Sequence, residues 1–287
     1  MGLITNILFP VDFSPSCIGM AAYVKRAAVL FGARVSLIHI FDPASYSGLE
    51  LYVRNPTEIA DEHLAIARDR LDSFLRAEFP ASENPRILGE GEPATEIAKA
   101  ARHGFDLIMM PTHAGRFRRM LIGSTTAKVL DSADCPVATS MHAETIAPRP
   151  LEHREWLCAL SLREDSERVL RYAYRATAEA GVHLRIIHAI SAADPALPVR
   201  LDLEEQIQCE QRRDALKRID ELQGRIGSNA AVRIEIGPVK EALLEAARQS
   251  DADALIIGRS AWPGSHGRLL DLAYAMIRDS PFPVVSV

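Results

Sequence analysis

The chain is written twice. Residues 106–125 return as residues 253–272, with Leu107, Ile108, Met109 and Met110 matched by Ala254, Leu255, Ile256 and Ile257. Each copy then passes through a helical pattern to a proline-valine pair, Pro136-Val137 or Pro283-Val284. Such a repeat constrains the fold more than any single motif, because a shared apolar skeleton must bury the same faces in both halves. The copies part at polar positions, where Gly123 and Ser124 in the first stand against Leu270 and Asp271 in the second. One fold used once for binding and once for something else is what that asymmetry implies.

At 287 residues the chain is longer than one core ordinarily fills, and two halves are each of ordinary domain size. Hydrophobic residues at 48% and charged residues at 25% leave enough apolar material for both cores. The division is expected within residues 142–154, where Pro148, Pro150 and several charges interrupt the periodicity, giving domains 1–145 and 146–287.

In the first copy the apolar run from Ile7 to Val11 breaks at Asp12, as a buried strand leading into a helix does. Ser14 then serves as N-cap and Pro15 as first helical residue. Apolar residues at Ala21, Val24, Ala28, Val29 and Phe31 predict a helix closed by Gly32. Strands at 35–40, 86–88, 107–110 and 136–139, with helices at 57–79, 94–102 and 124–132, complete this copy. The second retraces it with strands at 157–160, 184–188, 232–236, 255–257 and 283–287, and helices at 164–180, 203–222 and 239–248. Alternation of this kind means parallel βαβ units with right-handed crossovers. The expected architecture is α/β, two tandem open-twisted parallel five-stranded sheet domains.

The formal charge of −5 opposes a broad nucleic-acid face, which needs a basic surface to displace counterions. The short basic run Arg116, Arg118 and Arg119 reads equally as a solvated loop or as a phosphate-facing one. Cys17, Cys135, Cys158 and Cys209 lack the close spacing of zinc or dithiol chemistry and read as small core residues in a reducing compartment. No signal sequence is read in the first residues, and no apolar run approaches the roughly 20 residues that cross a bilayer. A cytoplasmic protein is expected, with neither nucleic acid nor membrane as partner.

In an open parallel sheet, ligands bind beyond the strand C-termini, where helix N-termini offer unpaired N–H groups. Three such strand ends in the first copy carry informative residues: Val11-Asp12, Ile40-Phe41-Asp42, and the stretch from Met110 to Gly115. Gly123, Ser124 and Thr125 begin another helix, where a residue without Cβ permits close approach and two hydroxyls add donors to an anion. These pieces together form a candidate triphosphate cradle.

The chain resembles the universal stress protein family in tandem form, over nearly its whole length. The resemblance rests on residues 7–14 (Ile-Leu-Phe-Pro-Val-Asp-Phe-Ser), on residues 37–42 (Leu-Ile-His-Ile-Phe-Asp), and on Pro111-Thr112-His113, Gly123-Ser124 and Cys135-Pro136-Val137. It implies a Rossmann-like domain related to the adenine nucleotide alpha-hydrolases, an ATP-binding subset of members, and pairing across the last strand. In one chain that pairing becomes a pseudo-dimer, the second copy serving as a built-in partner, with a homodimer of chains left open. Carried over residue by residue, Asp12 matches the adenosine-contacting aspartate, Val11 and Ile40, beside Pro10, the adenine-framing positions, and Met110 the apolar residue before the loop. Gly123, Ser124 and Thr125 match the phosphate-binding end.

Pro111 and Ala114 stand where the family's ATP-binders have glycines, and one residue fewer separates Ala114 from Gly123. Pro111 removes a backbone donor and Ala114 adds a methyl, while Gly115 restores close approach when the shorter loop shifts register. In the second copy Ser161 replaces the aspartate, Asp271 brings a carboxylate to a helix entrance, and Gly258 survives from the glycine pair, so no ATP is expected there. The bland readings are Asp12 as a helix cap, His113 as a solvated loop residue, and residues 262–267 as an exposed turn. His39 and His188 share a repeat position, which favours a structural role. The leading expectation is ATP, with magnesium, held by the first copy for regulation, slow hydrolysis remaining open. Its rival is a nucleotide-independent interaction module for a protein partner.

Overall fold

The runs 7–11, 35–41 and 107–110 of the first half are mostly apolar, and strands of that composition are stable only when both faces are covered. The computed structural model, described for residues 2–43, 56–112, 123–141, 155–191, 201–259 and 268–287, covers them in that way. The chain divides into two compact units, Met1–Arg149 and Pro150–Val287.

In the first unit the elements are β1 (Asn6–Pro10), α1 (Pro15–Phe31), β2 (Arg34–Phe41), α2 (Pro56–Ser73), β3 (Arg86–Glu90), α3 (Pro93–Ala101), β4 (Leu107–Pro111), α4 (Ser124–Ser132) and β5 (Val137–Ser140). All of its strands pair in parallel, in the order β3-β2-β1-β4-β5. In the second unit β6 (Glu155–Ala159), α5 (Ser166–Ala180), β7 (His183–Ile190), α6 (Leu201–Ile226), β8 (Ala231–Ile236), α7 (Val239–Ser250), β9 (Ala254–Ile257), α8 (Arg268–Asp279) and β10 (Val284–Ser286) follow the same plan, ordered β8-β7-β6-β9-β10.

Helix α1 begins and ends as its residues require. Ser14 accepts from the Cys17 N–H, Pro15 opens the first turn, and Gly32 closes the helix at φ 60°, its N–H reaching the Ala28 and Val29 carbonyls. Its buried face runs through Cys17, Met20, Tyr23, Val24 and Ala27. Val29, expected in the apolar series, is 78% exposed.

Helix α2 also departs from expectation, stopping at Ser73 rather than continuing to Phe79. Leu75 turns to φ 49°, and the Arg86 guanidinium donates to the carbonyls of Leu71, Phe74 and Phe79 at 2.5, 2.8 and 2.8 Å. The Leu71 carbonyl in the last turn and the Phe74 and Phe79 carbonyls beyond it share one donor on the adjacent strand.

The two units share one detail that the repeat alone does not display. The His39 ring Nδ1 lies 2.8 Å from the Val11 carbonyl, and the His188 Nδ1 lies 2.7 Å from the Leu160 carbonyl. A carbonyl only accepts, so Nδ1 carries the proton in both rings. Each histidine ties the second strand of its unit to the exit of the first, which is the structural role its repeated position suggested.

Candidate functional site

The order in which strands are added reverses at β1, with β2 and β3 on one side of it and β4 and β5 on the other. β1 pairs with β2 on one side and with β4 on the other, with Ile7 opposite Leu107 and Leu8 opposite Ile108. The crevice of an open parallel sheet lies at such a switch point, beyond the strand C-termini. Pro10, Val11 and Asp12 leave β1 there, Ile40 and Phe41 end β2, and Met110 and Pro111 end β4.

Val11, Ile40 and Met110 are 5, 8 and 5% exposed and form the apolar floor. The Val11 N–H bonds the Ile38 carbonyl at 2.8 Å. Gly89 makes room for Ile40, whose Cδ1 would stand 2.7 Å from any Cβ placed on that glycine. Pro111 closes β4 opposite Ser140 and is buried.

Asp12 is exposed at the edge of this floor. Its Oδ1 accepts from the Ser14 N–H at 3.0 Å and from the Cys17 thiol at 3.1 Å. Between Asp12 and the helix, Phe13 adopts φ 64°. A left-handed conformation at a bulky residue costs about 1–2 kcal/mol. Its ring is held on three sides: His39 at 4.3 Å between centroids, Phe74 edge-on at 5.3 Å, and the Arg70 guanidinium 4.5 Å from the ring centre. Aromatic pairs contribute about 0.5–1.5 kcal/mol each, enough to offset the strain. Burial lowers the His39 pKa below its usual value, which keeps the ring neutral against the Val11 carbonyl.

Across the crevice, Gly123 caps α4 at φ −56° and has no side chain of its own to take the first-turn N–H groups. Ser124 is exposed, Thr125 half-buried and Thr126 buried. The Thr126 hydroxyl donates to the Pro111 carbonyl at 3.2 Å, which pins the helix entrance to the end of β4. This is a concentration of donors and positive helix dipole facing an apolar floor, and it can take an anion next to a flat apolar group.

The same crevice in the second unit is built otherwise. Ser161 stands in the place of Asp12, and Leu162 repeats the Phe13 conformation at φ 58°. Gly258 does not open a space for ligand, because a Cβ on it would lie 2.3 Å from Oδ2 of Asp165. The surviving glycine houses a carboxylate of its own unit. Helix α8 starts at Arg268, so Leu270 and Asp271 fall within its first turn rather than at its entrance.

The sequence model of the Universal stress protein family matches residues 4–139 and again 154–287. The chain belongs to the universal stress protein family. Among its relatives, a universal stress protein of Thermus aquaticus is 32% identical over 138 residues, 46% of this chain and 95% of that protein. One of Mycobacterium tuberculosis is 24% identical over 195 residues, 66% of this chain and 65% of its own length. Among solved structures, a universal stress protein of Archaeoglobus fulgidus superposes with TM-score 0.68 at 20% identity, covering 99% of this chain and 96% of that one. A Pseudomonas aeruginosa protein of unknown function gives 0.63 at 17%, covering 99% and 92%. At those identities the likeness is one of fold.

Of the residues that the family pattern singles out, the fold gathers Pro10, Val11, Asp12, Ile40, Met110 and Pro111 at one end of the first sheet. Gly123, Ser124 and Thr125 open the helix that Thr126 fastens to β4. Ala114 and Gly115 lie outside the described residues, as do His113, residues 116–119 and residues 262–267. Pattern reading passed over Cys17, Arg70, Thr126 and Asp165, which act on the backbone or on another side chain and carry no spacing signature. Among the described residues no group of three His, Cys, Asp or Glu could hold a metal ion, and no helix is long and apolar enough to cross a membrane.

Proposed function

We propose that the N-terminal unit of this universal stress protein binds an adenine nucleotide, ATP with its magnesium, and that the C-terminal unit binds none. The observation that carries the reading is the contrast between the two crevices. In the first, Asp12 and the uncapped entrance of α4 flank an apolar floor. In the second, Asp165 rests on Gly258. The base packs over Val11, Ile40 and Met110, Asp12 accepts from the adenosine moiety, and Ser124, Thr125 and the first-turn N–H groups receive phosphate oxygens. Magnesium arrives on the phosphates, which supply the ligands that the described residues do not. The nucleotide acts as a regulatory ligand, and its occupancy is the output.

Titration calorimetry on the full chain tests this. One nucleotide per chain is expected, with Asp12→Ala and Ser124→Ala each weakening it. Absence of saturable binding at millimolar ATP overturns the reading. A second reading draws on Pro111, which offers no N–H at the lip of the crevice. It makes both units a nucleotide-independent interaction module. Mass spectrometry of the purified protein for co-purifying adenine nucleotide separates the two.

A further inference from the structure

We propose that Cys17 is a positioning residue of the nucleotide crevice, its thiol fixing the carboxylate of Asp12 in the orientation that meets the ligand; this rests on the nucleotide reading above. Cys17 lies in the first turn of α1 and is 1% exposed. Its Sγ is 3.1 Å from Asp12 Oδ1, well inside the range for a thiol donor, and 3.9 Å from the Pro10 carbonyl. Oδ1 also takes the Ser14 N–H, so a buried donor and a backbone donor converge on one oxygen of an otherwise exposed side chain. A carboxylate on a solvated loop samples several rotamers, and two donors on the same atom select one.

The repeat shows what is particular to the first unit. Ser161 and Ser166 stand in the places of Asp12 and Cys17, the two serine oxygens lying 3.4 Å apart. Ser166 is 1% exposed, so a polar residue is kept at this buried position in both units. The link between strand exit and first helical turn is retained in each, while the carboxylate belongs to the first alone. Burial, and next the charge of Asp12, push the Cys17 thiol up to about 12. It therefore remains a protonated donor at every physiological pH and is a poor nucleophile, which sets its role apart from redox sensing.

The test uses the full chain and two readouts. Without nucleotide, the infrared S–H stretching band of Cys17, isolated as the difference from Cys17→Ser, is expected at lower frequency in the parent than in Asp12→Ala. With ATP in a calorimeter, Cys17→Val loses the donor and fills the space with a slightly larger apolar side chain, and is expected to weaken binding about three- to tenfold, the worth of one hydrogen bond. Cys17→Ser, which retains a donor, is expected to stay within about twofold of the parent, and in an Asp12→Ala background the valine is expected to have no further effect. An unshifted S–H band overturns the pairing. Parent-like titration of Cys17→Val alongside a weakened Asp12→Ala overturns the positioning role while leaving the nucleotide site standing. Parent-like titration of Asp12→Ala takes Asp12 out of the nucleotide contact and overturns the positioning role with it, while absence of ATP binding by the parent removes the nucleotide reading itself.

Discussion

Asp165 lies against Gly258 so closely that a Cβ on the glycine would stand 2.3 Å from its Oδ2, and 3.2 Å from Cγ2 of Val169. The other oxygen of the same carboxylate accepts from the Ser161 hydroxyl at 3.3 Å. Gly258→Ala therefore turns the Asp165 carboxylate aside and presses on Val169, at an expected cost of about 1–2 kcal/mol. In an Asp165→Ala background the clash partner is gone and Val169 alone remains, so the penalty is expected to fall below about 1 kcal/mol. Urea unfolding of the four proteins measures the coupling. Equal penalties in both backgrounds would mean that the carboxylate is not seated on the glycine.

The paired histidines make stability depend on pH in a defined direction. Burial lowers the pKa of both His39 and His188 below the ordinary 6.5, a shift that outweighs the bonds to the Val11 and Leu160 carbonyls. As pH falls through 6.5 the unfolded chain takes up protons that the folded chain refuses. Stability is therefore full above that value, declines as pH drops below it, and levels off once the folded rings also charge. His39→Asn combined with His188→Asn places an amide N–H near each Nδ1 and removes the titration. The expected result is a flatter stability profile across this window in the double variant, read by urea unfolding at a series of pH values.

Arg86 shows a half-buried cation used as a helix stop. Its guanidinium serves three carbonyls, while its Nε is buried without a hydrogen-bond partner. Arg86→Met preserves much of the stem and abandons all three acceptors, with an expected loss of about 2–4 kcal/mol. Arg86→Lys recovers part of it, since an ammonium cannot span the three carbonyls as a planar fork does. Thermal unfolding of both variants checks the order. A methionine variant as stable as the parent would show that solvent supplies those carbonyls.

The alternation of strands and helices, the parallel order and the glycine-closed α1 were legible because they depend on local rules: apolar runs, N-caps and αL caps. Gly123 and Asp12 were legible as site candidates for the same reason, since each stands at an element boundary. What stayed hidden depends on contact between distant segments. The extra turn predicted for α2 after Ser73 is cut short by Arg86, a strand residue that no helical periodicity includes. Gly258 read as a remnant of a phosphate loop because sequence shows a glycine without showing what fills its missing Cβ. Val29 continued the apolar series of α1, yet the helix rotates toward Met20, Tyr23, Val24 and Ala27 and leaves it in solvent.

The fastening of α4 gives a final prediction, one that separates the helix entrance from the rest of the crevice. Thr126 is buried, and its hydroxyl meets the carbonyl of Pro111, a residue that cannot itself donate to anything. Thr126→Val keeps the shape and removes the donor, orphaning a buried carbonyl at a stability loss of about 1–2 kcal/mol. Because α4 then meets β4 without a directional bond, its first-turn N–H groups lose their fixed aim, and ATP affinity is expected to fall about threefold. Ser132→Ala at the opposite end of the helix, where the hydroxyl bonds the Lys128 carbonyl on an exposed surface, is expected to leave affinity unchanged. Calorimetric titration of both variants decides the matter. Equal affinity in Thr126→Val and the parent would place the phosphates away from the entrance of α4.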